Sequence, residues 1–407
     1  MSTTLIGPFR QLLPLTGLPE RGAIADEQLL VIPEGGVLVA AGKIVAVGKW
    51  QDLRQQYPTA VLEEVAGDQV LLPGLVDAHT HICFAGSRAQ DFAARNAGKS
   101  YLEMAQAGGG IWSTVQHTRA TSQDALTALT RARLDRLLAN GVTTVEIKSG
   151  YGLNVVEELK LLHAIEAAAD QHQVAVVPTC LAAHLVPKDF GGPPEAYLQY
   201  LLDELVPVIE QEGYCRRFDI FIEQSAFPAA VARPYLLALK ERGFALTVHG
   251  DQFTTGGSQV AIDCGALSVD HLEVSGEREI AQLANSQVIP VALPGATIGL
   301  GCAFAPARRL LNAGCALAIA SDWNPGSAPQ GNLLLQAAVL ATFEKLTTAE
   351  VFAGITQRAA RALGLTDRGM LATGCRADLV AFPTNDYREI LYQQGSLVPS
   401  RVWCEGG

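Results

Sequence analysis

Eight short apolar runs, separated by segments with helical patterns, are the feature that most restricts how this chain can fold. The runs are residues 71–81, 142–150, 174–184, 218–227, 245–253, 266–274, 288–297 and 316–326. Continuous apolar strands that are each followed by a helix form a parallel sheet buried on both faces. Eight such units predict a TIM-like (β/α)8 barrel over residues 71–365.

The segments between the runs carry start and stop signals of helices. Residues 122–141 begin with Ser122, a preferred N-cap residue, and end at Gly141, which suits the position just past a helix. The apolar stripe of this segment is formed by Leu126, Leu129, Leu134, Leu137 and Leu138. Residues 195–213 repeat the pattern, so we predict amphipathic helices that cover the sheet.

The two ends of the chain have a different character. Short β-rich runs occur at residues 29–32, 37–40, 44–48, 377–383 and 401–403. Gly turns between the first runs predict a small antiparallel sheet. We expect the two ends, residues 1–70 and 366–407, to combine into a smaller composite β-sandwich domain, which gives an α/β fold overall.

Composition excludes several classes of partner. The 407 residues include 30 Lys and Arg against 41 Asp and Glu, a net charge of −11, and no basic cluster that would gather phosphates. We therefore expect no nucleic-acid partner. The sequence shows neither a secretory signal nor an uninterrupted membrane span, so we expect no membrane partner and a cytoplasmic location. Eight scattered cysteines without a CxxC pair are expected to be reduced thiols.

Polar residues gather late in the apolar runs. These residues are His79, His81, Glu146, Lys148, His184, Glu223, His249, His271, Asp322 and Asn324. In barrels of this type the active site lies at the C-terminal ends of the strands. Because five of the eight histidines occupy such ends, we predict one active site there.

The motif VDAHTH (76–81) suggests a metal site. Strand side chains alternate, so His79 and His81 point to one face. His249 ends the fifth run, across the lumen, and Asp322 ends the eighth, beside the first. Three imidazoles and one carboxylate suit Zn²⁺ or iron better than Mg²⁺ or Ca²⁺. We predict that these four residues bind one metal ion; the alternative is a pair of hydrogen-bonded core histidines.

Several motifs carry a family resemblance. VDAHTH, HGD (249–251), DHLE (270–273) and SDWNPGS (321–327) resemble the amidohydrolase superfamily. Within this superfamily, the chain resembles the imidazolonepropionase family. The segments that carry this resemblance are FAGSR (84–88), residues 99–122, EIKSGYGL (146–153) and TCLAAH (179–184). The likeness covers most of residues 36–382.

The resemblance implies a specific reaction. Members of this family use a metal-activated water to open the cyclic amide of 4-imidazolone-5-propanoate, which yields N-formimidoyl-L-glutamate in histidine degradation. It implies that the metal ligands are His79, His81, His249 and Asp322. It also implies substrate contacts, with Tyr101 ranked below the others, from Arg88, Tyr151, His184, Gln252, Asn324, Gly326 and Ser327.

The chemistry of these residues suits such a substrate. Arg88 can offer its bidentate fork to the propanoate, unless it only forms a surface ion pair. Tyr151, between two glycines, can lie over the ring, and His184 can hydrogen-bond the ring carbonyl and stabilise an oxyanion. The reacting end would be held by Asn324, Gly326 and Ser327, unless these only form a polar turn.

One position departs from the family pattern. Some members have Glu where this chain has Gln252, and an amide cannot exchange a proton at neutral pH. We therefore assign proton transfer to His271 and Asp322, with His184 as a third catalytic residue. The fourth run lacks a Lys of the kind that bridges two metals in some relatives, so we predict a single Zn²⁺ or Fe³⁺ per subunit. We expect a small anionic substrate and a homodimer.

Two other functions remain open at this point. A cytosine- or guanine-type deaminase would use nearly the same barrel and ligands, but a neutral base offers nothing for Arg88 to bind. A barrel that has lost catalysis would be a non-enzymatic alternative; such relatives usually lose ligands, and all four are present here.

Overall fold

The computed structural model describes residues 3–99 and 109–407, and its strands form two sheets. The strands in chain order are β1 (Thr4–Leu12), β2 (Ile32–Ala40), β3 (Lys43–Lys49), β4 (Val61–Glu64), β5 (Val70–Pro73), β6 (Leu75–Asp77), β7 (Val142–Lys148), β8 (Ala175–Ala183), β9 (Arg217–Ile220), β10 (Ala245–Gly250), β11 (Ser268–His271), β12 (Ile289–Ala292), β13 (Ala318–Ile319), β14 (Leu379–Phe382) and β15 (Arg401–Trp403). Strands β6 to β13 form one sheet, and the other seven form the second.

The sheet of β6 to β13 is the predicted (β/α)8 barrel. Its strands are hydrogen-bonded in sequence order, and each pairing is parallel. Just beyond β6 and β13 the barrel closes, where the His81 amide donates to the Trp323 carbonyl (2.9 Å) and the Asp322 amide donates to the His79 carbonyl (3.0 Å). The closing seam therefore passes through three of the predicted metal ligands.

Each of the eight predicted runs contains one barrel strand, but the first run is shared between the two sheets. Its start, β5, pairs with the chain-end sheet, and β6 begins the barrel after Gly74. A side chain at Gly74 would overlap Thr143 on the neighbouring β7. Only glycine lets the chain pass from one sheet to the other at this point.

Helices follow the barrel strands and cover their outer face, except Trp50–Gln56, which packs against β1, β2 and β3, and Arg388–Tyr392, which follows β14. They are α1 (Trp50–Gln56), α2 (Ala89–Asn96), α3 (Ile111–Ala120), α4 (Gln123–Ala139), α5 (Val155–Ala169), α6 (Pro194–Tyr200), α7 (Val206–Glu212), α8 (Ala229–Glu241), α9 (Gly257–Cys264), α10 (Glu277–Ala284), α11 (Pro294–Leu300), α12 (Ala307–Asn312), α13 (Leu333–Glu344), α14 (Thr348–Gly354), α15 (Gln357–Ala362) and α16 (Arg388–Tyr392). A π turn joins α6 to α7. Within residues 3–99 and 109–407, no helix combines the length and apolar character needed to cross a membrane.

Helix α4 has the predicted N-cap but not the whole of the predicted apolar stripe. Ser122 caps it as predicted, since its hydroxyl accepts from the Ala125 amide (3.3 Å). The buried face, however, is formed by Leu126, Thr130, Leu134 and Leu137. Leu129 is 38% exposed, so its predicted place on the apolar stripe is wrong. The buried positions advance by four residues from Leu126 to Leu134 and then by three to Leu137, so Thr130 is buried instead of Leu129.

The two chain ends share the second sheet, as predicted, because β14 pairs with β5 and β15 pairs with β14. The sheet is mixed. Strand β1 is antiparallel to β2 but parallel to β4 and β5, so the prediction of an antiparallel sheet is wrong for these two pairs. The predicted run at 29–32 contributes only its last residue, Ile32, to a strand.

This sheet curls around its own apolar core. Phe9 of β1 meets Trp403 of β15 edge to face, with ring centroids 6.2 Å apart. The Trp403 indole nitrogen donates to Glu63 of β4 (2.8 Å). Strands at distant places in the sheet order thus face each other across one core, which includes Ile6, Val37, Leu71 and Leu379.

Candidate active site

The four predicted metal ligands lie close together at the C-terminal rim of the barrel. Nε2 of His81 lies 3.2 Å from Nε2 of His79 and 3.2 Å from Nε2 of His249. Oδ1 of Asp322 lies 3.4 Å from Nε2 of His81 and 3.6 Å from Nε2 of His79. All four side chains are buried. Residues separated by up to 243 positions therefore form two overlapping groups that could hold a metal ion, His79 with His81 and Asp322, and His79 with His249 and His271.

Two buried carboxylates orient two of the imidazoles. Nδ1 of His79 lies 2.6 Å from Oδ2 of Asp270, and Nδ1 of His249 lies 2.8 Å from Oδ2 of Asp219. A carboxylate beside Nδ1 keeps the proton there and leaves the Nε2 lone pair exposed. The exposed Nε2 lone pairs of His79 and His249 each lie 3.2 Å from Nε2 of His81, and a cation between these nitrogens would be attracted to their lone pairs. The donor set thus fits a divalent metal ion.

Burial keeps the three imidazoles neutral. It lowers the pKa of His81 and of His249 to about 3 and the pKa of His79 well below its usual value. Neutral imidazole is the form that binds metals. Burial also raises the pKa of Asp322 above that of an ordinary aspartate, and a cation in the cluster would favour its ionised form.

His271, at the end of β11, lies beside this cluster. Its ring centroid is 5.3 Å from that of His249, and its Nδ1 lies 3.3 Å from Oε1 of Glu273. Although burial works in the opposite direction, Glu273 and Asp322 raise the pKa of His271 above its usual value. The raised pKa favours the protonated form of this imidazole.

The backbone is strained at two of these positions. His271 has a φ of 88° and Asp322 a φ of 51°, values that favour glycine. Strain of this kind is maintained where the surrounding structure enforces it, and it is common at active sites. Both of these strained residues lie next to His79.

Tyr151 and His184 form one wall beside His81. The His184 ring stacks on His81 with centroids 5.6 Å apart, and Tyr151 lies 5.6 Å from His184 and 6.1 Å from His81. Nδ1 of His184 donates to the Gly150 carbonyl (3.0 Å). Burial lowers the pKa of His184 to about 4. The neutral ring with its proton on Nδ1 presents Nε2 as a hydrogen-bond acceptor.

Glu158 holds the loop that carries Tyr151. Its buried carboxylate accepts hydrogen bonds from the amides of Gly150 (3.0 Å), Gly152 (2.7 Å) and Leu153 (2.7 Å). Since Gly150 also accepts from His184, one carboxylate fixes both residues of the wall. Glu158 lies in α5 and was not among the predicted site residues, although an acidic residue on the buried face of a helix is a sign of such a role.

Arg88 reaches the loop after β13. Its Nε donates to Asp91 (2.8 Å), which also accepts from the Gly110 amide (2.8 Å). A Cβ placed on Gly326 would lie 2.6 Å from Nη1 of Arg88, so the guanidinium rests against the glycine backbone. The predicted contacts Arg88 and Gly326 are therefore neighbours.

Asn324 shapes the turn of residues 324–327. Its Oδ1 accepts from the amides of Gly326 (2.8 Å) and Ser327 (2.8 Å), and its Nδ2 donates to the Asp322 carbonyl (2.7 Å) and to the Ser327 hydroxyl (3.0 Å). These bonds occupy the Asn324 amide. Its role in the structure is to form the turn next to Asp322.

The Gln252 loop is held from both sides. Glu223 accepts from the amides of Phe253 (3.0 Å) and Thr254 (3.1 Å). Asp251 accepts from the amides of Gly256 and Gly257, both at 2.9 Å, at the start of α9. Gln252 itself is half-buried. Tyr101, the lower-ranked contact, lies outside the described residues.

Comparison with known proteins agrees with this geometry. The amidohydrolase family matches residues 105–392, and the imidazolonepropionase-like composite domain of bacteria matches residues 35–60. An imidazolonepropionase of Herpetosiphon aurantiacus is 42% identical over 379 residues, which are 91% of this chain and 88% of the relative. An imidazolonepropionase of Deinococcus deserti is 41% identical over 408 residues, covering 100% of this chain and 99% of the relative. The chain belongs to the imidazolonepropionase family.

Solved structures support the same fold. An adenosine deaminase from Xanthomonas campestris with bound zinc has a TM-score of 0.73 at 20% identity, covering 100% of this chain and 92% of that one. A guanine deaminase from C. acetobutylicum with bound guanine has a TM-score of 0.73 at 14% identity, covering 100% and 99%. At these identities the likeness shows the fold alone, and the imidazolonepropionase assignment depends on the sequence relatives.

Proposed function

We propose that this member of the imidazolonepropionase family hydrolyses 4-imidazolone-5-propanoate to N-formimidoyl-L-glutamate. One observation carries the proposal: the guanidinium of Arg88 lies against Gly326, on the same loop as Asp322 of the histidine cluster. An arginine guanidinium close to a cluster of potential metal ligands suits a substrate that has a small ring and a carboxylate tail. A neutral purine or pyrimidine base would leave that guanidinium without a partner.

His79, His81, His249 and Asp322 would hold one Zn²⁺ or iron ion. Such an ion, when bound, lowers the pKa of a coordinated water from 15.7 to about 7 and so supplies hydroxide at neutral pH. The protein's own side chains bind and orient the substrate and transfer protons.

Arg88 binds the propanoate and so fixes the position of the ring. Asp91 steadies Arg88 through Nε, which uses one of its five N–H donors. Tyr151 lies over the ring face, and Asn324 keeps the amides of Gly326 and Ser327 in a turn between Asp322 and Arg88. Holding the ring in this way lowers the entropic cost of the attack.

Proton transfer falls to His271 and Asp322. In the reaction the oxygen of water bonds to the ring carbonyl carbon, and the bond from that carbon to the ring nitrogen breaks. Asp322 accepts the proton released by water, and Nε2 of His271 donates a proton to the departing nitrogen, since its Nδ1 faces Glu273. Gln252 binds but exchanges no proton.

His184 serves this reaction with its Nε2 atom. With the ring proton on Nδ1, Nε2 accepts a hydrogen bond from a substrate N–H and orients the ring. To stabilise an oxyanion it must first take up a second proton, which burial opposes.

Adding 4-imidazolone-5-propanoate to the purified, metal-loaded protein tests the proposal. We expect loss of the substrate's ultraviolet absorbance, a product heavier by one water in mass spectrometry, and loss of turnover after chelation. Arg88→Met should abolish most of this activity. No turnover, together with release of ammonia from guanine or cytosine, would establish the deaminase alternative instead. Metal analysis of the active protein distinguishes zinc from iron, and sedimentation tests the expected homodimer.

A further inference from the structure

A buried lysine lies in the barrel interior beneath the histidine cluster. Lys148, the last residue of β7, is fully buried. Its Nζ lies 2.7 Å from Oε1 of Glu146, 2.8 Å from Oδ2 of Asp219 and 4.0 Å from Oδ2 of Asp270. One cation therefore serves three carboxylates that come from three different strands.

Each of these carboxylates contacts a different part of the ligand set. Asp219 faces Nδ1 of His249, and Asp270 faces Nδ1 of His79. Oε2 of Glu146 accepts from the amide of Thr80 (3.2 Å), the residue between His79 and His81. Thr80 also donates through its hydroxyl to the Glu146 carbonyl (2.6 Å). Through these carboxylates Lys148 is linked to two ligands, His79 and His249, and to the backbone between His79 and His81.

Without a cation these carboxylates would repel one another in an interior from which water is excluded. The repulsion would be relieved by a proton on one of them or by a change of side-chain rotamer. Either change removes a charged acceptor from a histidine Nδ1, and the imidazole is then free to turn or to change tautomer. The ligand geometry therefore depends on a charge that touches no ligand.

We infer that Lys148 is a positioning residue for the metal site, which holds Asp219 and Asp270 so that His249 and His79 present Nε2 to the ion. This inference rests on the proposed metal site but not on the identity of the substrate. A residue that only stabilised the fold would affect unfolding without affecting the affinity of the folded protein for metal.

Metal affinity of the full-length protein separates these roles. Lys148→Met removes the charge and keeps most of the side-chain volume. Arg358→Met is the matched control, because Arg358 is also a fully buried cation but donates to the carbonyls of Pro19 and Gly22. Zn²⁺ affinity is measured by competition with a chromophoric chelator, and coordination geometry by the visible spectrum of the Co²⁺-loaded protein.

We expect Lys148→Met to bind Zn²⁺ about 10- to 100-fold more weakly than the wild type, the loss typical of disrupting partners of ligand histidines. The Co²⁺ spectrum should change, whereas Arg358→Met should leave both readouts unchanged. Should Lys148→Met fail to fold, Lys148→Gln removes the charge but keeps a donor group, and we expect a smaller loss in the same direction. Wild-type affinity and an unchanged Co²⁺ spectrum in either folded variant would overturn the inference.

Failure of the proposed function would give different results in these measurements. If the wild-type protein binds no Zn²⁺ or Co²⁺, the metal site itself is wrong and the inference falls with it. If the wild type binds metal but does not open the imidazolone, only the substrate is wrong, and the affinities of the Lys148 variants still decide the role of this residue.

Discussion

The contact between Arg88 and Gly326 can be tested by adding a single methyl group. A Cβ on Gly326 would lie 2.6 Å from Nη1 and 3.2 Å from Cζ of Arg88, where about 3.4 Å is the ordinary limit. The backbone of Gly326 has no positive φ, so alanine can adopt it without strain. Gly326→Ala therefore acts chiefly on the guanidinium, which must move by about 0.8 Å, whereas Oδ1 of Asn324, at 3.3 Å, need move only slightly.

The displacement should weaken binding of the propanoate. A hydrogen bond to a charged group contributes about 1.5–3 kcal/mol, and Asp91 holds Nε on the opposite side, so the fork cannot shift as a whole. Loss of one such bond corresponds to a fall of about 10- to 150-fold in kcat/KM. Most of the change should appear in KM, because the tail is bound in the ground state and in the transition state alike.

Steady-state kinetics with 4-imidazolone-5-propanoate measures this effect, and a double-mutant cycle with Arg88→Met tests its cause. Once the guanidinium has been removed, the added methyl group should cost little more. The midpoint of thermal unfolding should change little, since the displaced atom ends a flexible side chain. A fall in kcat/KM that is equally large in the Arg88→Met background would refute the proposed contact.

Three further predictions concern the wall, the barrel seam and the thiols. Glu158→Gln should lower kcat/KM and destabilise the protein by about 1–3 kcal/mol, because the single side-chain oxygen of glutamine cannot accept hydrogen bonds from all three backbone N–H groups of the Tyr151 loop. Denaturant unfolding measures this loss of stability, with Glu157→Gln as control. Burial raises the pKa of Asp77 to about 7, so the folded protein keeps a proton that the unfolded chain loses, and stability falls as pH rises from about 4 to 7. Asp77→Asn removes this pH dependence. In the metal-free protein, the difference in unfolding free energy between the variant and the wild type should increase by about 3 kcal/mol in favour of the variant from pH 5 to pH 8. Parallel plots of unfolding free energy against pH for the two proteins would contradict the raised pKa. Iodoacetamide should modify exposed Cys302 in the native protein and the seven buried cysteines only after unfolding, as mass spectrometry can show.

The barrel and its ligand set could be predicted from the sequence because both depend on short-range regularities. Each strand ends where an apolar run meets a polar residue, and a two-residue spacing is enough to put His79 and His81 on one face. The neighbouring position of Asp322 follows from closure of the barrel. These predictions needed the order of the strands but not their exact register.

The partners of the histidines could not be predicted in the same way. Asp219 and Asp270 lie in strands that read as apolar, and nothing local to either residue shows which imidazole it meets. Asp270 pairs in register with His249 on the adjacent strand, yet its side chain contacts His79. Contacts of this kind depend on stagger between strands and on side-chain direction, and the sequence specifies both only through the complete barrel.

The charges of the site couple metal binding to the protonation of its carboxylates. Three buried carboxylates, Glu146, Asp219 and Asp270, surround the buried Lys148, and a fourth, Asp322, lies against His79 and His81. Burial raises the pKa of Asp270 to about 7 and that of Asp322 above its usual value, so protons can balance the excess of negative charge. A divalent ion balances the same excess and favours the ionised carboxylates. Protons and metal therefore compete for one cluster, and binding of the ion must release protons, which makes its affinity increase with pH in this range.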